Sequence, residues 1–260
     1  MSALKKITAL LICMVVLCSL LASCQPGTGD GGNDETPLQS DKYVATVKVK
    51  YTALDSKLKE AVEAIGSPEI TISADGDNVK VESFVATKNV STESQYLLVD
   101  GMLYHFNRIS VDDLAVTTRE KSSADETSRE AIIDRAGPGA SIGVDDFAKS
   151  GKTESNGSTT YMCNSINEES ASSLCDLFGA QLSAIGATVR LESASYQVTL
   201  TGGREDKSTL TCNFIVTMDG EDYSVLMRIN YEYDYDANVS ISAPKDADKY
   251  KEVSSEEIIG

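Results

Sequence analysis

The chain has no tryptophan, one histidine (His105) and only five prolines among its 260 residues. One histidine cannot build a histidine metal cluster, nor a catalytic triad without a nucleophile beside it. Cations are also scarce: 23 Lys and Arg stand against 40 Asp and Glu, a net charge of −17. A body this acidic is repelled by polyphosphate and by anionic headgroups, which argues against nucleic acid as a partner and reads first as a solubilising surface. Long apolar runs are missing too. The one candidate, residues 7–21, has about 15 residues, short of the ~20 that span a bilayer as a helix.

What the N-terminus does contain is ordered. Lys5 and Lys6 precede the apolar run, which closes on Leu21-Ala22-Ser23-Cys24. A charged start, a short greasy middle and small residues at the end are the layout of an export leader. Cys13 and Cys18 lie in the same region without that context. The Leu-Ala-Ser-Cys ending resembles the lipobox of bacterial lipoproteins. The resemblance implies a leader over residues 1–23 that is cleaved before Cys24, with acyl chains on the Cys24 thiol. The mature chain would then be held on the extracytoplasmic side of a membrane by lipid. Two or more acyl chains hold stably, at ~0.8 kcal/mol per buried methylene. Residues 24–41 continue as a Gly- and Asp-rich stretch with one large aliphatic side chain, Leu38. It cannot bury enough surface to offset ordering entropy and reads as a tether, with a root-mean-square span of roughly 20–25 Å. Losing Lys5 and Lys6 with the leader lowers the formal charge by two, to −19.

Three further cysteines, Cys163, Cys175 and Cys212, fit no zinc spacing. An oxidising compartment allows at most one bridge among three, and buried thiols are the expectation.

Residues 42–248 carry alternating periods. Tyr43, Ala45, Val47, Val49 and Tyr51 share one face of a strand, with Lys48 and Lys50 opposite. Leu54, Leu58, Ala61, Val62 and Ile65 then recur at helical spacing, stopped by Gly66 and Pro68. A meander follows, with hairpin signals at residues 75–78 and at Asp100-Gly101. Residues 110–128 are polar and read as loop, residues 126–135 as a short helix, and residues 144–149 as a further helical turn. The order repeats: a strand over 158–165, then a helix over 167–186 with Ala171, Leu174, Phe178, Leu182 and Ile185 on one stripe. Ser165 and Glu168 offer a capping box for that helix. Three strong strands end the body. Tyr196, Val198 and Leu200 share a face, as do Leu210, Cys212, Phe214, Val216 and Met218. In the last strand Tyr223, Val225, Met227, Ile229, Tyr231, Tyr233 and Tyr235 do the same. Residues 249–260 read as an unstructured polar tail.

One apolar and one polar face per strand specify an antiparallel sheet that is covered on one side. The expectation is an α+β fold: a curved antiparallel sheet, an incomplete β-barrel, with two main helices and a shorter one on its concave face. An acylated Cys24, a tether, strand–helix–meander order and a Tyr-rich last strand, closed by Ile241-Ser242-Ala243-Pro244 and Asp246-Ala247, resemble the lipoprotein-carrier-like proteins of the LolA, LppX and LprG type. The resemblance implies a bound or shuttled lipid or acyl chain and no catalytic residues. The cavity lining it would require is Val198, Leu200, Leu210, Phe214, Val225, Met227, Ile229 and Tyr231, all of which are first of all core positions. The tyrosines at 223, 231, 233 and 235 are candidates for a ligand mouth. If the helices fill the sheet instead, the same chain is a structural or interaction lipoprotein with a packed core.

Other motifs carry less. Gly139-Ala140-Ser141-Ile142-Gly143 has the Gly-x-Ser-x-Gly spacing of a nucleophile elbow, but it follows a helix end and has no histidine downstream. It reads as a Gly-rich loop. His105, between Tyr104 and Phe106, reads as a cross-strand histidine. The carboxylates of residues 219–222 and 234–236 lack EF-hand spacing and read as solvated turns. No catalytic residue, metal or cofactor is expected. Replacing Cys24 with serine is expected to move the protein from the membrane pellet to the soluble fraction on cell fractionation; continued sedimentation with membranes would overturn the anchor.

Overall fold

The computed structural model describes residues 42–134 and 142–259. Cys24, its Leu21, Ala22 and Ser23 neighbours and the tether lie outside them. The chain runs β1 (Lys42–Ala53), α1 (Ser56–Ile65), β2 (Glu69–Asp75), β3 (Asn78–Ala86), β4 (Val90–Val99), β5 (Met102–Val111), β6 (Leu114–Ser123) and α2 (Ser128–Asp134). It continues with β7 (Phe147–Ser155), β8 (Ser158–Ile166), α3 (Glu168–Leu182), β9 (Thr188–Thr201), β10 (Arg204–Met218), β11 (Glu221–Asp234), β12 (Lys251–Glu252) and α4 (Ser255–Ile259). The twelve strands form one curved, unclosed sheet in the order β12-β6-β5-β4-β3-β2-β1-β11-β10-β9-β8-β7. Every pairing is antiparallel except β12 with β6. The α+β class and the antiparallel sheet therefore stand.

The two halves meet where β1 pairs with β11, Val47 opposite Tyr231 and Val49 opposite Ile229. Side chains alternate across a strand, so this register puts the apolar rows of both halves on one face. Helices α1 and α3 cover that face. Asp55 caps α1 by accepting from the Lys57 N–H at 2.8 Å. Gly66 ends it at φ 79°, where a Cβ would approach Val85 to 2.7 Å. Leu58, Val62 and Ile65 point into the core, whereas Leu54 precedes the helix and is exposed. The N-cap of α3 is Asn167, accepting from the Ser170 N–H at 2.8 Å, and not the expected Ser165–Glu168 box. Leu174, Phe178 and Leu182 are buried. Ile185 lies past the helix end and is exposed, because the last turn tightens before Gly186.

Three segments differ from the sequence expectation. Residues 110–128 are not loop: β5 continues to Val111, the chain turns at Asp112 (φ 51°), and β6 returns to Ser123. The tip of this hairpin projects into solvent, so neither face is buried there: Leu114 and Val116 stay exposed and the polar residues that follow show no one-sided alternation. Only Val144–Asp146 makes a helical turn in the interval 144–149, and Phe147 starts the edge strand β7.

The tail is the third. Ile241, Ala247 and Tyr250 pack with Leu97, Val99 and Tyr104 in a small cluster on the outer face of β4 and β5. The chain then pairs β12 along β6, and Ile258 of α4 enters the main core on the inner face. The tail thus folds around the β6 edge and covers part of it, which is one way to manage unpaired strand edges. Ile241, Ala247, Tyr250 and Ile258, four apolar residues spread over 18 positions, show no period, and that hid the segment. Ile258→Ala is expected to cost about 2 kcal/mol or more, in the range of buried aliphatic truncations. Urea unfolding checks this; an unchanged midpoint would return residues 249–260 to a dispensable tail.

Candidate functional site

The expected cavity-lining residues come together as one wall. Cross-strand rows place Phe214 opposite Val225, Cys212 opposite Met227, Leu210 opposite Ile229 and Ser208 opposite Tyr231. Ser208 also faces Val198, and Leu210 faces Tyr196. α3 closes over this wall: the Phe178 ring stacks on Tyr51 with centroids 5.4 Å apart and lies 4.7 Å from that of Phe214. Val198, Leu210, Phe214, Val225 and Ile229 are 0% exposed; Met227, Tyr231 and Leu200 are buried. A wall facing a void wide enough for water would expose area to it, and these five side chains expose none. In this conformation they are core.

Among the described residues no disulfide joins Cys163, Cys175 or Cys212. Burial pushes the Cys212 thiol up to about 12, so it is no nucleophile at neutral pH.

The tyrosine row divides. Tyr223, at the start of β11, hydrogen bonds Glu221 and Lys57 on α1. Tyr233 and Tyr235, at the other end, meet Tyr43 of β1. The Tyr43 centroid is 5.9 Å from that of Tyr233 and 6.3 Å from that of Tyr235, and Tyr233 stacks on Tyr235 at 6.0 Å. Tyr231 lies beneath them, buried, and its hydroxyl has no hydrogen-bond partner among the described residues. Tyr196 stacks on Phe147 of β7 at 5.7 Å.

A carboxylate absent from the sequence reading sits among these rings. Counting back from the inward Ser208 by twos would put Asp206 on the apolar face. A bulge between Glu205 and Lys207 resets the count and pairs Glu205 with the inward Leu200. Bulges re-aim side chains in this way, and no composition cue announces one here. Burial raises the Glu205 pKa above its ordinary value, partly offset by hydrogen bonds from Ser208 and Tyr196. Its charge acts in turn on Tyr196, Tyr231, Tyr233 and Tyr235, whose hydroxyls are raised first by burial and further by Glu205. The Tyr235 hydroxyl donates to the Glu205 backbone carbonyl at 2.7 Å. The Arg204 guanidinium stands 5.5 Å from the Tyr235 ring centroid.

The remaining motifs are structural. His105 stacks on Tyr96 at 4.5 Å with Nδ1 3.4 Å from a Glu120 carboxylate oxygen. Asp222 accepts from the Thr217 hydroxyl at 2.6 Å and pairs with Arg190 at 3.4 Å. Asp234 accepts from the Asp236 N–H at 3.0 Å. Ser141 lies outside the described residues; Ile142 is buried, and the Gly143 N–H donates to Asp146 at 2.8 Å. Among the described residues no three His, Cys, Asp or Glu side chains gather as metal ligands, and no helix is long and apolar enough to cross a membrane.

No family model matches the sequence, and no curated protein matches it. Among solved structures, the ywiB protein from Bacillus subtilis aligns over 74% of this chain and 93% of its own, at 9% identity and a TM-score of 0.25. The dehydratase domain of the polyketide PpsC from Mycobacterium tuberculosis aligns over 77% of this chain and 78% of its own, at 10% identity and a TM-score of 0.14. Scores this low define no shared fold and carry no activity across.

Glu205 gives a pH test. Its folded pKa is raised, so its stabilising effect is complete below the unfolded value of about 4.3 and is lost as pH rises through the folded value. Glu205→Gln is therefore expected to raise the melting temperature at pH 7–8, with the gain fading as pH falls below about 4. An equal gain at both ends of this range, or a loss at neutral pH, would contradict a desolvated carboxylate.

Proposed function

We propose that this chain is a membrane-anchored, non-enzymatic lipoprotein of the cell envelope that works by binding, with its folded body displayed on a tether from acylated Cys24. Its α+β body is best read as an incomplete β-barrel whose concave side is filled by its own helices, a scaffold that engages a partner through its surface. The observation that carries this reading is the wall of β9, β10 and β11: Val198, Leu210, Phe214, Val225 and Ile229 expose no area. The tether suits this reading, because an acidic domain held off anionic headgroups keeps its surface free for a partner.

Carriage of a lipid or lipoprotein acyl chain is the second reading, and one observation favours it. α3 covers the wall through a single stripe, Leu174, Phe178 and Leu182. Burying those three side chains is worth roughly 5–9 kcal/mol at 1.5–3 kcal/mol each. A buried acyl chain of about twelve methylenes is worth roughly 10 kcal/mol at ~0.8 kcal/mol per methylene. Replacing the stripe with an acyl chain is thus near balance, and the helix would lift to admit it.

Native mass spectrometry of the Cys24→Ser protein, purified from the soluble fraction without detergent, separates the two. The filled scaffold is expected at its bare polypeptide mass. A stoichiometric adduct that extracts as lipid would overturn it in favour of the carrier.

A further inference from the structure

The Tyr233 and Tyr235 rings at the end of β11 adjoin a carboxylate that the bulge in β10 turns inward. Glu205 is half-buried on the apolar face, put there by the bulge in β10. Tyr233 and Tyr235 are half-buried next to it, and the half-buried Tyr43 packs against both, the three ring centroids lying within 6.3 Å of one another. Beneath them lies the buried Tyr231, whose hydroxyl has no partner among the described residues. Two cations flank the patch. Arg204 faces Tyr235, and Arg129 of α2 acts on Tyr43, yet among the described residues neither forms an ion pair with Glu205.

Each part selects the same chemistry. Aromatic faces carry negative potential and attract a cation within about 6 Å of the centroid, more strongly where water is excluded. A half-buried carboxylate lacking a cation is costly, and an incoming positive group removes that cost. An orphan buried hydroxyl is unfavourable and is relieved by an acceptor on the same ligand. Metal ions want several oxygens, and among the described residues no three carboxylate, thiol or imidazole side chains gather here. A polyanion is repelled by the net charge of −17. A large, weakly hydrated organic cation meets all of these terms.

We propose that the Tyr43, Tyr233, Tyr235 and Glu205 cluster is a binding site for an organic ammonium group, with Tyr231 bonding an oxygen of the same ligand. The site adjoins the wall at Tyr231 and Leu200 and goes beyond the scaffold reading. Tyr43 is the second residue of β1 and Tyr233 and Tyr235 lie at the end of β11, so the cluster sits at the strand ends on one rim of the sheet. The ammonium group can come from a free small molecule or from a choline headgroup in a membrane.

Because the chain has eleven tyrosines and no tryptophan, tyrosine emission reads this site without a brighter fluorophore. The test titrates Cys24→Ser protein with choline and with 3,3-dimethyl-1-butanol, its neutral isostere, by tyrosine fluorescence and calorimetry. Saturable choline binding is expected, at least tenfold tighter than the isostere. Glu205→Gln, expected to fold with undiminished stability, should weaken choline at least tenfold and leave the isostere unchanged. No saturable choline binding, equal binding of the isostere, or an unaffected Glu205→Gln variant each overturns the site. With choline bound, cosedimentation with phosphatidylcholine but not phosphatidylglycerol vesicles, reversed by free choline, assigns it to a headgroup; no cosedimentation assigns it to a free ligand.

Discussion

The register between β1 and β11 is the constraint on which everything else depends. Ten consecutive pairs from Val44–Asp234 to Ala53–Val225 join the N-terminal meander to the C-terminal strands. Strand side chains alternate with a period of two, so a slip of one residue would turn Val225, Met227, Ile229 and Tyr231 to solvent while Val47 and Val49 stayed inside. With the register as it is, two half-sheets become one apolar face. That face is the only place α1 and α3 can bury their stripes. It also brings Tyr43 beside Tyr233 and Tyr235.

A single wide face explains how the molecule is filled. Two helices and the short α4 contribute Leu58, Val62, Ile65, Leu174, Phe178, Leu182 and Ile258 to one continuous core. The aromatic contacts Tyr51–Phe178–Phe214 lock α3 at the centre. An open sheet has two edges, and the β6 edge is partly covered by the chain's own tail, which passes from the outer cluster at Tyr250 to the inner core at Ile258. The part of the body best suited to meet something else is then not the centre. It is the rim, where the sheet outruns its helices and half-buried rings remain.

Much of this was legible before the fold was known. Alternation marked β1, β9, β10 and β11, and a change of period marked α1 and α3, because one-sided burial writes itself into sequence as periodicity. The wall residues were legible for the same reason. Where burial is absent or irregular the signal failed. The β5–β6 hairpin is wet on both faces near its tip, so it resembled loop. The tail buries only scattered side chains, so it resembled coil. The N-cap moved from Ser165 to Asn167 because capping depends on the local path of the backbone, and several nearby residues were chemically able to serve.

The amino-acid sequence by itself determined which face of β1, β9, β10 and β11 is apolar, where the two main helices run, and that residues 1–41 differ in composition from the body, because these follow from local periodicity and composition. Only the tertiary structure decided which strands are neighbours, that the helices leave the wall unexposed, and that Glu205 rather than Asp206 stands among the tyrosines. Strand pairing and a one-residue bulge are settled by contacts between residues far apart in the chain, and no local pattern encodes them.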